Sequence, residues 1–347
     1  CEILLENVSH LLDLHRQKFP RFFFCTDKQI LEILLACSNV KYLTDDLQPV
    51  FPALSRFHVS IVDTARVMGI INSSGETYQF SSDFDYENLS VVELLARTER
   101  EMKNSVRSTI LDALRSREYT EPSKWLIRFP VQTVVIAENA HFTQDITDTI
   151  HKVTTKPDFT NKFNEIGEFI NSCNEFIREF PAKIEQVSTL IGLKIRHRDM
   201  LQGLNDLDAV SVDTFEWKRH ISHVIKLEKG IEQIYTQIGS FQIPYGYEML
   251  SKMDIGIMTD QEAAAALALA SCMNQPEFAL CKQMNGQRNV VKAFAESCGL
   301  PVFDVYSNCL RNVFAGASAV HSIVRLHEVK ELPALFPNFY GLIEARM

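Results

Sequence analysis

Apolar positions repeat at helical spacing over residues 1–17, which predicts an amphipathic helix. Phe19-Pro20-Arg21-Phe22-Phe23-Phe24 follows as an extended aromatic run that Pro20 keeps out of that helix. Thr26 or Asp27 then stands where a cap belongs, ahead of the apolar-periodic stretch Ile30 to Ala36. Val59 to Ile71 reads as a strand, Asn72-Ser73-Ser74-Gly75 as a turn, and the polar, aromatic stretch Tyr78 to Asn88 as a loop. Ser90 to Arg117 is a long, charge-rich amphipathic helix. Past Pro122, Trp125 and Phe129-Pro130 comes the apolar run Val131 to Ala137. Residues 141–153 and 161–203 read as helices, interrupted near Pro157 and Pro181. Asp213 is placed to cap a further helix through Trp217 and His220.

From about residue 240 the texture changes: Pro and Gly recur, and apolar β-like runs alternate with helices. Ala263 to Met273 suits a buried helix, and Val302 to Tyr306 a short buried strand behind a helix at 289–298. That alternation belongs to an α/β layer. The expected organisation is a mainly α chain, with a helical region over 1–240 and the beginning of an α/β module over 241–347.

Composition narrows the field. Only 13 of 347 residues are glycine, and none lies between Gly75 and Gly167, which disfavours tight-turned sandwiches and barrels. Neither G-x-G-x-x-G nor G-x-x-x-x-G-K-[ST] occurs. Apolar residues make 46% of the chain and charged ones 23%, values of a folded protein. The net charge of −9, from 35 Lys and Arg against 44 Asp and Glu, argues against nucleic-acid binding driven by charge. No apolar run approaches the length of a membrane span. No basic-then-apolar leader opens the chain, and the start at Cys1 is that expected of a fragment. The eight cysteines have no regular spacing and read as reduced core residues.

Few residues taken alone suggest chemistry. His220 and His223 stand three apart on an expected helix, a spacing that can bind metal, but no third ligand is in reach and no metal is expected. His197-Arg198-Asp199 reads as a salt-bridged helical face. The aromatic clusters at 19–24, with Arg21 as its one basic residue, and 335–340, with none, read as packing rather than base stacking.

The order of several segments nonetheless resembles the heavy chain of dynein, from the end of its helical linker into its first AAA+ module. Arg21-Phe22-Phe23-Phe24-Cys25-Thr26-Asp27 and the following Ile30-Leu31-Glu32-Ile33-Leu34 resemble that family's R-F-Y-F-L-S-D-D-E-L-L-E-I-L. Gln48-Pro49 with Phe51, Gly69-Ile70-Ile71-Asn72-Ser73-Ser74-Gly75-Glu76 and Arg198-Asp199 are similar to further family segments. Val212-Asp213-Thr214-Phe215-Glu216-Trp217 is close to S-V-D-D-F-E-W, and Tyr245-Gly246-Tyr247-Glu248 matches Y-G-Y-E. Met258-Thr259-Asp260 stands where the family has P-L-T-D, so that Tyr245 to Glu248, Thr259 and Asp260 would form the junction of linker and ring.

The resemblance implies a segment of an ATP-driven microtubule motor, a helical linker rod leading into an α/β AAA+ (P-loop-like) domain. The partners implied are the rest of the heavy-chain ring, with intermediate chains, light chains and microtubules engaged through other regions. A cytoplasmic, cytoskeletal or axonemal location in cilia follows, with neither nucleic acid nor membrane as partner. Intact ATP sites and a coiled-coil stalk elsewhere in the protein would favour the motor. A non-motor pseudo-ATPase scaffold whose rod docks partners is the alternative.

ATP with Mg²⁺ is the cofactor implied, yet this sequence departs from the family at the chemistry. Cys281-Lys282-Gln283-Met284-Asn285-Gly286-Gln287-Arg288 occupies the place of G-P-A-G-T-G-K-T, and only Gly286 survives. Gln287 replaces the lysine that balances phosphate charge, and Arg288 replaces the hydroxyl that holds Mg²⁺ and has no acceptor. Ile323-Val324-Arg325-Leu326-His327-Glu328 stands for W-A-C-F-D-E, with Arg325 interrupting the apolar run and His327 in place of a metal-supporting carboxylate. Glu328 matches the residue that polarises water, although its ordinary reading is a strand-end acid. An inactive nucleotide site is expected.

Overall fold

The computed structural model describes residues 2–35, 47–120, 122–152, 156–208, 210–253, 255, 259–274, 290–306 and 313–327. The fold is mainly α. Contacts divide it into two compact units. The first holds Cys1–Ser108, Gly246–Ser251 and the described residues from Gly299; the second holds Thr109–Tyr245 and Lys252–Cys298.

In the first unit α1 (Glu2–Lys18) stops before Pro20, as the sequence requires. Pro20–Phe24 is a 3-10 helix rather than an extended run. Pro20 has no N–H to lose in a first turn, and the three-residue repeat stacks Phe19 and Phe22 edge to face, with centroids 5.1 Å apart. α2 (Asp27–Leu35) opens on a capping box in which the Gln29 N–H donates to Thr26 Oγ1 (3.1 Å) and the Thr26 N–H donates to Gln29 Oε1 (2.8 Å).

An antiparallel sheet of order β1-β2-β3 follows, from β1 (Leu54–Val59), β2 (Arg66–Asn72) and β3 (Thr77–Asp85). The expected single strand from Val59 is two strands, because a turn at Ser60 to Ala65 is held by Ser60 Oγ and Asp63 Oδ1 accepting backbone N–H groups. The stretch expected as a loop is mostly β3, whose Tyr78, Phe80 and Phe84 are buried while Gln79 and Ser81 are exposed. The turn at Asn72 to Gly75 is present, with Gly75 at φ 81° and Asn72 Oδ1 accepting from the Ser74 and Glu76 N–H groups.

α3 (Val91–Ser116), with Ser90 and Glu93 forming another capping box, runs from the first unit into the second. Also in the first unit, β7 (Val302–Tyr306) and β8 (Ile323–His327) pair in parallel and are joined through α11 (Val313–Val320). Phe24, Phe303, Val305 and Val313 form their shared core, with the Phe24 and Phe303 rings stacked at 4.0 Å. Pairing continues in register through Arg325.

The second unit contains α4 (Pro122–Arg128), α5 (Val131–Lys152), α6 (Thr160–Glu179), α7 (Ile184–Asn205), the short α8 (Phe215–Lys218), α9 (Asp260–Asn274) and α10 (Val290–Ser297). The interruption near Pro181 is a 3-10 turn, Pro181–Lys183. One helix spans both the apolar run from Val131 and the segment from 141, since residues 131–140 are buried on every side. Phe142, Ile146, Ile150, Phe159, Ile166, Met200, Leu201, Leu204 and Trp217 make one core cluster.

The helix expected through His220 ends at Lys218. A second antiparallel sheet, β4 (Ser222–Glu228), β5 (Ile231–Ile238) and β6 (Phe241–Pro244), takes its place. Glu228 pairs with Ile231 around Lys229 (φ 49°) and Gly230 (φ 81°), the two positive φ values of a type I′ hairpin. Besides its helices, the region before residue 240 thus carries one sheet and most of a second, whose β6 continues to Pro244.

Candidate functional site

Arg21 leaves the 3-10 helix with a fully buried guanidinium. Its Nη1 and Nη2 donate to the two carboxylate oxygens of Glu248 at 2.8 and 2.6 Å, a bidentate fork across 227 positions of chain. Nη1 also donates to the Val50 carbonyl (2.9 Å), and Nη2 to Glu99 Oε1 on α3 (3.2 Å). The rings of Phe51 and Phe303 lie 4.7 and 5.8 Å from the guanidinium carbon. Burial works against the Arg21 charge, but Glu248 and then Glu99 more than offset it and raise its pKa. Burial likewise disfavours the Glu99 carboxylate, and Arg21 with Lys103 overcomes this and lowers its pKa.

Glu248 stands in a segment without regular secondary structure. Its N–H donates to the Gly299 carbonyl (2.9 Å), and Tyr247 before it has φ 55°. Gly246 is required by space, since a Cβ there would meet the Gly299 carbonyl oxygen at 2.6 Å. In the second unit the Tyr245 hydroxyl accepts from Gln132 Nε2 (2.9 Å), and its N–H donates to the Ile234 carbonyl. Thr259 and Asp260 open α9: Thr259 forms a capping box with Glu262, and Asp260 pairs with Arg219 at 2.7 Å.

Two buried polar groups in the second unit had no signal in periodicity. Glu138 on α5 accepts from Arg117 Nε (2.7 Å) and is paired with Lys194 on α7. Burial raises the Glu138 pKa, but Lys194 and then Arg117 outweigh it and keep the carboxylate ionised. Beside it runs a chain of amide and imidazoles. His223 Nε2 donates to the Ser297 carbonyl (2.7 Å), which makes its Nδ1 the acceptor for Asn139 Nδ2 (2.8 Å). Asn139 Oδ1 accepts from His197 Nε2 (3.1 Å). Both imidazoles are neutral, burial being the main cause of pKa values that fall to about 4 for His223 and well below normal for His197.

The metal spacing of His220 and His223 loses its helix, because His223 is on β4 and engaged as above. No group of His, Cys, Asp and Glu among the described residues could hold a metal ion. Arg198 and Asp199 form the expected exposed pair at 3.1 Å, whereas His197 points into the core against Phe142. Cys25, Cys173 and Cys298 are buried thiols and Cys272 is half-buried. Gly286, Gln287, Arg288 and Glu328 lie outside the described residues. The backbone of His327 ends β8, opposite Tyr306 in the parallel register.

Arg21 carried a signal that periodicity does not weigh: a single charge inside a run of four aromatic rings is tolerated only when paired. That segment lies within residues 1–113, which match the family described as dynein heavy chain, N-terminal region 2. Dynein axonemal heavy chain 1 of Mus musculus is 21% identical over 275 residues, 79% of this chain and 6% of the relative. Dynein axonemal heavy chain 2 of the same species is 24% identical over 324 residues, 88% of this chain and 7% of the relative.

Together these matches support a divergent dynein heavy chain segment. The cytoplasmic dynein heavy chain of Eremothecium gossypii is also similar, 23% identical over 287 residues, 81% of this chain and 7% of the relative. The dynein segment thus spans only 6 to 7% of the length of these curated relatives. Its family-matched part carries Arg21 and Glu99, while the other carboxylate held by Arg21, Glu248, comes from far along the chain. No helix among the described residues is long and apolar enough to cross a membrane.

Proposed function

We propose that this chain is the stretch of a dynein motor subunit in which the helical linker, residues 1–240, passes into the first AAA+ module, residues 241–347. In the whole protein that stretch would couple ATP cycles of the ring to movement along microtubules, with intermediate and light chains bound elsewhere and a cytoskeletal or ciliary location. The observation that carries the reading is the parallel pair β7 and β8 joined through α11, the strand–helix–strand unit with which an α/β layer begins. α10 precedes that unit directly, as a helix following a phosphate loop would, and the register sets His327 at the carboxyl end of β8, where such sheets bind ligands.

The nucleotide site of this module does not suit ATP with Mg²⁺. Gln287 brings no charge to a phosphate, Arg288 offers no oxygen to a cation, and His327 supplies an imidazole where a carboxylate belongs. Glu328 without that cradle has nothing to activate, so no hydrolytic step is assigned to it. The segment serves as a mechanical element whose ring draws energy from other modules. A pseudo-ATPase scaffold shares the same lost site and differs only in what the rest of the protein contains.

Restoring the missing groups tests the site assignment. Gln287→Lys with Arg288→Thr should bring Mg-ATP affinity from undetectable to measurable by calorimetry, a gain of about 2 kcal/mol or more at the scale of a single charged phosphate contact. No gain from the double substitution would show that residues 281–288 are not a phosphate loop.

A further inference from the structure

Residues 246–251 have no ladder partner, and they are held down by side chains from elsewhere and by the Gly299 carbonyl, which accepts from the Glu248 N–H. Arg21 grips Glu248, Asn72 Nδ2 donates to the Leu250 carbonyl (3.0 Å), and Ser74 Oγ donates to the Ser251 carbonyl (2.8 Å). The segment is also wound against its preference, since Tyr247 adopts a left-handed backbone that side chains rarely take. Glu99 gives Arg21 a second carboxylate on the same Nη2, and Glu99 is itself paired with Lys103 at 2.6 Å.

We propose that residues 246–251 form a releasable strap, and that Arg21 exchanges its Glu248 fork for Glu99 when the strap lifts. A buried pair with one partner resists opening because a charge is left stranded. Here the guanidinium keeps a counter-charge in both positions, and Glu248 leaves with the strap toward water. Opening also relaxes the left-handed turn at Tyr247. The three side-chain grips let go together, since they act on one continuous six-residue segment. The proposal stands on these contacts alone and does not depend on the functional reading above.

Hydrogen exchange of the Glu248 and Met249 amides in the 347-residue chain tests it, with the amides of β2 as internal control. Glu248→Gln removes the charge that holds the strap and should speed strap exchange about tenfold or more, with β2 unchanged. Glu99→Gln removes the alternative partner, so opening would strand Arg21, and strap exchange should slow about threefold or more. Glu99 is at the rim of the cluster, so the sign of its effect decides the matter even if the Glu248 variant fails to fold. Unchanged or faster strap exchange in Glu99→Gln would overturn the exchange of partners and leave Glu99 as ordinary packing.

Discussion

Arg21 and Glu138 carry full charges in sites closed to water, and each is surrounded by more than one opposite charge. Removing one member of such a group costs more than the group contributes, because the remaining charges stay buried. Glu138→Gln, which leaves Arg117 and Lys194 facing each other, should lower unfolding free energy by about 3–5 kcal/mol in urea titrations. The imidazoles give the chain a pH dependence of definite sign. In the fold His220 and His223 are held to about 3 and about 4, by burial first and by the Arg196 charge with it, while the Ser297 hydrogen bond pulls His223 partly back. Their unfolded values lie near 6.5. Between the two values the unfolded chain binds protons the fold refuses, so this stability is complete above about pH 6.5 and falls away as the pH drops to about 4. The urea midpoint should decline across that window, and His223→Gln should remove up to about 1.4 kcal/mol per pH unit of the slope. Sequence alone marked His220 and His223 as notable but gave them the wrong neighbours, because a spacing of three means one face only on a helix.

The elements that were legible are α1, α2, α3, α6, α7, α9, α10 and β7: α2 and α3 open on capping boxes ahead of an apolar period, and Pro157 and Pro181 mark the bounds of α6 and α7. α5 was half missed for the opposite reason, since a helix buried on all sides over residues 131–140 has no polar face to mark its period. β3 and the sheet β4-β5-β6 were missed because their exposed faces carry Gln, Ser, Glu and Lys, which dilute alternation into apparent loop or charged helix. Lys229-Gly230 lacks the usual Asn-Gly or Asp-Gly of such hairpins, so even the turn was quiet. Two glycine substitutions separate the ways a small residue supports these sheets. At Gly69 in β2 a Cβ would fall 2.4 Å from the Tyr78 carbonyl oxygen, so Gly69→Ala should cost about 1–3 kcal/mol and shift the β2–β3 register seen in cross-strand amide exchange. Gly230 faces open space at φ 81°, so Gly230→Ala should cost only about 1–2 kcal/mol of conformational strain and leave the register intact.

At the scale of the molecule, the resemblance to dynein heavy chains was legible in the order of short segments, none strong alone, and relatives at 20 to 24% identity support it. The interactions behind that order were not legible. Arg21 and Glu248 lie in two of the quoted segments, yet only the folded chain joins them through one fork. The proposed nucleotide site is read from the residue types at 281–288 and 323–328, and on it rests the proposal that this stretch does not hydrolyse ATP itself. Titrating Mg-ATP into the 347-residue chain in a calorimeter tests that view most directly. No saturable binding is expected below about 1 mM, equivalent to less than about 4 kcal/mol of binding free energy. Saturable binding in the micromolar range would contradict it.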